Sequence, residues 1–185
     1  ITENWLEEML QLCQQKDVGM VGAKLYYPDD TIQHAGVVVG LGGVAAHVLC
    51  KLPRDAEGYM GRLRCVQEIS AVTAACMMVK TSVFKAVGGF DEELKVAFND
   101  IDLCMKVRKY GVKIVFTPYA ELYHYESKSR GMEDTPEKQL RFSREVNCFR
   151  RKWERELLKG DPYYNPNLTL NNTDCSLRKQ EKNGD

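Results

Sequence analysis

The sequence lacks a net charge, because its 26 lysine and arginine residues balance its 26 aspartate and glutamate residues. Without a positive field the chain has no general attraction for nucleic acid or for an anionic membrane, so we expect no nucleic-acid partner. A long hydrophobic run is also missing: the longest, residues 36–48, is rich in glycine and alanine. It falls short of the roughly 20 residues that a membrane-spanning helix needs. The composition therefore points to a domain whose partners are recognised at local sites.

The cysteines lack the pattern of a disulfide framework or a zinc site. There are seven of them, an odd number, without a Cys-x-x-Cys pair, and the three histidines stand apart from closely spaced thiols. The first residues also lack a basic and apolar leader. We therefore expect reduced thiols in a cytoplasmic protein, with the inner face of the membrane as an alternative location.

Hydrophobic periodicity predicts alternating helices and strands over the first part of the chain. Apolar residues recur at helical spacing from Trp5 to about Gln15, and an apolar run at residues 18–27 ends in the turn formers Pro28, Asp29 and Asp30. β-branched sequence resumes at residues 31–39. We expect a helix followed by two strands that a turn connects. Residues 41–64 lack a steady period and predict a long loop.

The second part of the chain continues the alternation. Its predicted elements are a buried strand over residues 68–80, a short helix over 82–87, a helix capped by Asn99 or Asp100, a strand over 113–125 broken at Pro118, and a long helix from Thr135. We expect one α/β domain over residues 1–160. The Asn-rich segment 161–185 is expected to lie along the surface and to end in a disordered tail.

Two carboxylates, Asp100 and Asp102, form the densest chemical constellation. Residues two apart do not share a helical face, so each carboxylate has a separate role. A carboxylate at a helix N-terminus is favoured by the exposed N–H groups and the helix dipole, so spacing alone favours a cap.

Seven motifs occur in one order along the chain. They are VGAKLYYP (residues 21–28), IQHAG (32–36), SAVTAACMMV (70–79), VGGFDE (87–92), NDIDLC (99–104), YHYES (123–127) and PYYNPNL (162–168). Together they resemble bacterial family 2 glycosyltransferases over about residues 1–170, with greatest similarity to the rhamnosyltransferase-like branch of O-antigen and cell-wall polysaccharide synthesis.

The resemblance implies an α/β fold: part of a GT-A domain, with a mixed sheet and flanking helices. In that fold the N-terminal half binds the nucleotide and ends at an Asp-x-Asp motif, and residue 1 falls just after that point. We therefore expect the nucleotide-binding half to be absent from this sequence. The isolated chain is then expected to be inactive, and its exposed sheet edge to favour self-association.

The implied reaction is an inverting transfer, in which a hydroxyl of a glycan acceptor displaces the nucleotide from a nucleotide-sugar donor. The family's catalytic base is the aspartate of a Glu-Asp pair, which corresponds to Asp100, and Asn99 replaces the usual glutamate. A carboxylate is a weak base, so its position against the hydroxyl must supply much of the effect.

The resemblance also implies a divalent metal, Mg²⁺ or Mn²⁺, in the complete enzyme. His124 occupies the position of a metal ligand, and the alternative is a partly buried histidine bonded to a backbone carbonyl. No bound metal is firmly expected in this chain alone. Lys128 and Arg130 follow in a basic run that fits either a diphosphate contact or a solvated loop.

Five further residues are candidates for contact with the substrates. Ala74, Ala75 and Cys76 resemble the small-residue strand end beside the donor sugar and acceptor, although a core thiol is the favoured role of Cys76. Asn99 and Asp102 flank the base, and for Asp102 capping or loop anchoring is the favoured interpretation.

Three further residues are interpreted as packing or loop residues. His34 follows the turn in an apolar context and is interpreted as a packing residue, as is Trp153 in the last helix. His47 falls in the loop that could cover the acceptor.

Two other functions compete with the transferase. A non-catalytic carbohydrate-binding or interaction module on the same half-fold would not need the missing half, but it would have no reason to keep Asp100 in the base position. A hydrolase that uses Asp100 and Asp102 as a pair is disfavoured, because glycosidase carboxylates flank the bond from opposite sides.

Overall fold

The computed structural model describes residues 2–125 and 135–179. Within those residues the α-helices are α1 (Trp5–Cys13), α2 (Thr81–Ala86), α3 (Asn99–Lys109), α4 (Pro136–Lys152) and α5 (Glu154–Lys159). The strands are β1 (Val18–Tyr26), β2 (Ile32–His34), β3 (Val37–Val39), β4 (Ala45–His47), β5 (Gln67–Glu68), β6 (Met77–Val79) and β7 (Lys113–Tyr123). In this described part of the chain, no helix combines the length and apolar character that crossing a bilayer requires.

Strand β1 is the centre of a mixed five-stranded sheet. It pairs in parallel with β7 and antiparallel with β2 and β6, and β5 pairs antiparallel with β7. All nine residues of β1 are buried, as expected of a strand covered on both faces. The predicted mixed sheet with flanking helices is confirmed. The predicted loop at residues 41–64 contains β4, which pairs with β3 in a separate small sheet.

Two apolar clusters cover the two faces of the sheet. On one face α1 places Met9 and Cys13 against β1 residues such as Val21. On the other face a larger cluster includes Leu103 of α3 and Phe149 of α4. The sheet therefore sits between α1 and the longer helices, and α3 is held in the larger cluster.

The prediction of one strand over residues 68–80 is wrong. After β5, the chain makes a bridge at Ala71 and then a 3-10 turn at Ala74–Cys76 before β6 begins. The Thr73 hydroxyl accepts a hydrogen bond from the backbone N–H of Ala75 at 3.3 Å. The backbone N–H groups of Ala74 and Ala75 therefore both bond to side chains and not to a neighbouring strand. The strand is interrupted there for this reason.

Strand β7 continues through Pro118 as a bulge. Ala23 lies opposite Thr117, but the next residue of β1, Lys24, lies opposite Glu121. The extra residues absorb the proline, which has no N–H for the ladder. The predicted break is therefore a local irregularity in one strand.

In the segment after Gly160 most of the described residues are exposed, and a few side chains reach the core. Tyr164, Leu168 and Cys175 are buried and belong to the larger apolar cluster. The carboxylate of Asp161 accepts a hydrogen bond from the Val39 N–H at 2.8 Å. These contacts attach the segment to the rest of the chain, and residues 180–185 lie outside the described part.

Candidate active site

Polar side chains gather where β1 and β7 end. These strands are parallel, so their carboxyl ends, at Tyr26 and Tyr123, lie at one edge of the sheet. His124 follows β7 directly, and its N–H donates to the Tyr26 carbonyl at 3.0 Å. A cavity of about 310 Å³ opens here, and Gln33 and Thr73 contribute to its lining together with His124. Ligands of open α/β sheets bind at this kind of edge.

Asp100 lies in the first turn of α3, half-buried. Phe98, immediately before the helix, adopts a left-handed conformation with φ 62° and packs its ring against Phe149. One carboxylate oxygen of Asp100 accepts from the Ala74 N–H at 3.0 Å, and the other accepts from the Ile101 N–H at 2.9 Å. Among the described residues, Asp100 makes no ion pair, so the carboxylate is held by backbone groups alone.

Two residues contact Asp100 in different ways: Ala74 contacts its carboxylate, and Asn99 contacts its backbone N–H. Ala74 and Ala75 are exposed on the 3-10 turn, and Ala74 meets the Asp100 carboxylate directly. The side-chain oxygen of Asn99 accepts from the Asp100 N–H at 2.7 Å. Asn99 therefore acts locally on the start of α3, where a glutamate would add a charge.

Cys76 is a partly buried thiol beside α1. Its sulfur lies 3.9 Å from the Met9 sulfur beneath α1, and burial raises the pKa of the Cys76 thiol. The side chain packs against the second apolar cluster, which favours the packing role over the candidate substrate contact.

Asp102 is also structural. Its carboxylate is fully buried; one oxygen accepts from Trp153 Nε1 at 2.8 Å and from Lys152 Nζ at 2.7 Å, and the other lies 3.0 Å from Lys106 Nζ. Burial alone would lower the pKa of Lys152, but its hydrogen bonds to Asp102 and Asp91 outweigh that effect and raise it. This enclosure favours the anchoring interpretation of Asp102 over the candidate substrate role.

His124 is bonded to a side-chain amide. Its Nδ1 lies 2.8 Å from the Gln33 Oε1, and the Gln33 Nε2 donates to the His124 carbonyl at 3.3 Å. An imidazole whose Nδ1 is engaged by an oxygen presents Nε2, the nitrogen that metals commonly bind. Across residues 2–125 and 135–179, however, no three His, Cys, Asp or Glu side chains form a metal site. The described residues fit one ligand and no complete set, and Lys128 and Arg130 lie outside them.

The sequence did not identify Gln33 as a site residue and treated His34 as a packing residue. His34 is fully buried, and its Nε2 lies 3.5 Å from the Thr73 N while its Nδ1 lies 3.2 Å from His47 Nδ1. Burial, with a smaller contribution from His47, holds the pKa of His34 well below its usual 6.5. The only sequence signal for this cluster was the motif at residues 32–36.

The mixed sheet and its flanking helices are those of part of a GT-A domain. The chain belongs to the glycosyltransferase-like family 2, whose model matches residues 1–145.

Relatives of this chain include named proteins of polysaccharide synthesis. It is 58% identical over 96% of its length to the uncharacterized protein y4gI of Sinorhizobium fredii, and 38% identical over 100% of its length to the O-antigen biosynthesis protein RfbC of Myxococcus xanthus. A 62-residue stretch is 36% identical to an N-acetylglucosaminyl-diphospho-decaprenol L-rhamnosyltransferase of Mycobacterium tuberculosis, over 34% of this chain and 20% of that protein. The chain spans only 20% of the first relative and 14% of the second.

Proposed function

We propose that this chain carries the acceptor side and the catalytic base of an inverting sugar transfer in cell-surface polysaccharide synthesis. The donor is a nucleotide sugar and the acceptor is a hydroxyl of a glycan. Membership of the family supports the transfer, and the O-antigen and rhamnosyltransferase names of two relatives support this biological setting.

The observation that carries the proposal is the way Asp100 is held. Backbone N–H groups from two separate elements, at Ala74 and Ile101, fix its carboxylate without a lysine or arginine partner among the described residues. The acceptor oxygen attacks the anomeric carbon, its proton passes to the Asp100 carboxylate, and the bond from the anomeric carbon to the nucleoside diphosphate breaks. A fixed carboxylate serves this step because orientation contributes most of what a weak base can supply.

We further propose that His124 is one ligand of a Mg²⁺ or Mn²⁺ ion, with the remaining ligands supplied from outside the described residues. The orientation of its ring by Gln33 supports this role. When bound, the cation neutralises charge on the diphosphate leaving group.

The test is turnover of sugar nucleotides by the full-length protein that contains this chain, with Mg²⁺ or Mn²⁺, in the wild type and in Asp100→Asn. Glu92→Gln is the matched control, because it removes an exposed carboxylate a few residues before α3. We expect Asp100→Asn to lower kcat by about 10²-fold or more with donor binding retained, and Glu92→Gln to leave kcat unchanged.

Two results would contradict the proposal in different ways. Equal turnover by Asp100→Asn and the wild type would return Asp100 to a helix-start role. An absence of turnover with every donor, together with glycan binding, would instead favour a carbohydrate-binding module.

A further inference from the structure

Gln33 and His34 are adjacent residues of β2. Gln33 contacts His124, and His34 contacts the turn that holds Asp100. We propose that they are positioning residues of the transfer: Gln33 orients the His124 imidazole, and His34 orients the Asp100 carboxylate through the turn at Thr73 and Ala74. The inference rests on the proposed function for its catalytic consequence, and on contacts between described residues for its geometry.

The first half of the proposal concerns Gln33, which is 3% exposed. Its amide nitrogen donates to the His124 carbonyl at 3.3 Å, which identifies the other end of the amide as the oxygen that lies 2.8 Å from His124 Nδ1. An amide oxygen only accepts, so Nδ1 of neutral His124 carries the proton. The lone pair of the ring is then on Nε2, and both the tautomer and the plane of the ring are set by one side chain.

The second half begins with the tautomer of His34. The Thr73 N–H can only donate, so the His34 Nε2 that faces it, at 3.5 Å, has no proton. The proton of neutral His34 is therefore on Nδ1, which donates to His47 Nδ1 at 3.2 Å. The same His47 nitrogen lies 3.1 Å from the Gln33 carbonyl, which also accepts from the Cys50 thiol at 3.1 Å.

The next step connects His34 to Asp100. Thr73 and Ala74 supply consecutive N–H groups, the first to His34 and the second to the Asp100 carboxylate at 3.0 Å. The Thr73 hydroxyl also accepts from the Ala75 N–H, which closes the turn. Because consecutive peptide planes in a closed turn rotate together, loss of the acceptor at His34 changes the direction of the Ala74 N–H. The Asp100 carboxylate then loses one of its two fixed contacts.

The experiment compares His34→Gln with His34→Asn. The glutamine amide reaches the position of Nε2 and offers an oxygen to the Thr73 N–H, whereas the asparagine amide reaches only the position of Nδ1. Both variants remove the buried ring, so their effects on the thermal midpoint are expected to be similar. We expect His34→Asn to lower kcat by about 10-fold or more with little change in the donor KM, and His34→Gln to stay within a few-fold of wild type.

A second readout does not depend on activity. In this chain, hydrogen exchange of the Ala74 amide is expected to be about 10-fold faster in His34→Asn than in His34→Gln. In Gln33→Leu, the ¹⁵N shifts of His124 are expected to move away from the Nδ1–H tautomer that the wild type has.

The outcomes separate this inference from the proposed function. Equal kcat and equal Ala74 exchange in the two His34 variants would overturn the positioning role of His34, even with Asp100→Asn inactive. An Nε2–H tautomer of His124 in the wild type would overturn the role of Gln33. If no donor is turned over by the wild type, the exchange and ¹⁵N results still decide the geometry while the proposed function fails.

Discussion

Asp100 and Asp102 illustrate how much two residues of separation change a side chain's surroundings. A helix turns about 100° per residue, so the two carboxylates lie on nearly opposite faces of α3. Asp100 faces the exposed turn at Ala74, whereas Asp102 is fully buried against Trp153. Their separate roles were predictable from spacing. Which one is buried was not, because the partner of Asp102 comes from 51 residues further along the chain.

His34 predicts a pH dependence of stability. Its pKa in the folded protein lies well below the usual 6.5, so the unfolded chain binds a proton at pH values where the folded chain does not. The contribution of neutral His34 is fully present above about pH 6.5 and is lost as the pH falls toward the folded pKa. We expect the free energy of unfolding to fall by up to about 1.4 kcal/mol per pH unit from this residue, measured by urea unfolding between about pH 7 and pH 5.

His34→Gln is the control for this dependence, because glutamine keeps the contact to Thr73 but does not titrate. Its unfolding free energy should vary less with pH over the same interval. Parallel pH profiles in the variant and the wild type would show that His34 is not the group responsible.

At the scale of elements, the start of α3 is held to the end of α4 by one buried carboxylate. Asp102 binds Lys152, the last residue of α4, and Trp153, which follows it. Lys106, one turn further along α3, pairs with the second oxygen. The clamp fixes the direction in which α3 begins, and with it the position of Asp100.

Removal of the charge of Asp102 should loosen this clamp. Asp102→Asn replaces a carboxylate that accepts from Trp153 and pairs with Lys106 and Lys152 by a neutral amide, and we expect a loss of about 2–3 kcal/mol in the free energy of unfolding. Chemical denaturation of the purified chain measures it.

Asp91→Asn is the matched control, because Asp91 pairs with the same Lys152 but its side chain is 22% exposed. We expect a loss below about 1 kcal/mol there. Equal losses in the two variants would contradict a special contribution of the buried carboxylate.

The helix that the sequence predicted correctly is determined by local contacts, whereas the strand that was predicted wrongly depends on a distant residue. The long helix from Thr135 is confirmed as α4, because its start is encoded locally: the Thr135 hydroxyl accepts from the Lys138 N–H. The strand expected over residues 68–80 failed because its interruption depends on Asp100, a residue of another element, which removes the Ala74 N–H from the ladder.

At the scale of the whole molecule, residues 161–179 complete the larger core. Leu168 is 2% exposed, whereas its bridge partner Leu177 is 74% exposed. The two leucines therefore lie on the inner and outer sides of the same segment. The contrast in their exposure shows that the inner side packs against the rest of the chain.

A pair of substitutions measures that packing. Leu168→Ala should lower the free energy of unfolding by about 2–4 kcal/mol, because it opens a cavity in the core. Leu177→Ala should change it by less than about 0.5 kcal/mol. Urea unfolding of both variants is the measurement, and two equally small effects would favour a segment that only rests on the surface.

Self-association through an exposed sheet edge stays a prediction. The described edge strands are short, with two residues in β5 and three in β2. Short edges offer few unpaired backbone groups to a second copy.

The sequence by itself determined the α/β alternation, the family, the separation of the two aspartates and the position of the base candidate. These properties depend on local periodicity, on caps and on motifs, which are written in neighbouring residues. Only the tertiary structure decided that Asp102 is a buried clamp, that Cys76 faces the core, and that Gln33 and His34 reach the surroundings of His124 and Asp100. Each of these contacts joins residues far apart in the chain, and a side chain's burial and protonation follow from the partners that folding brings to it.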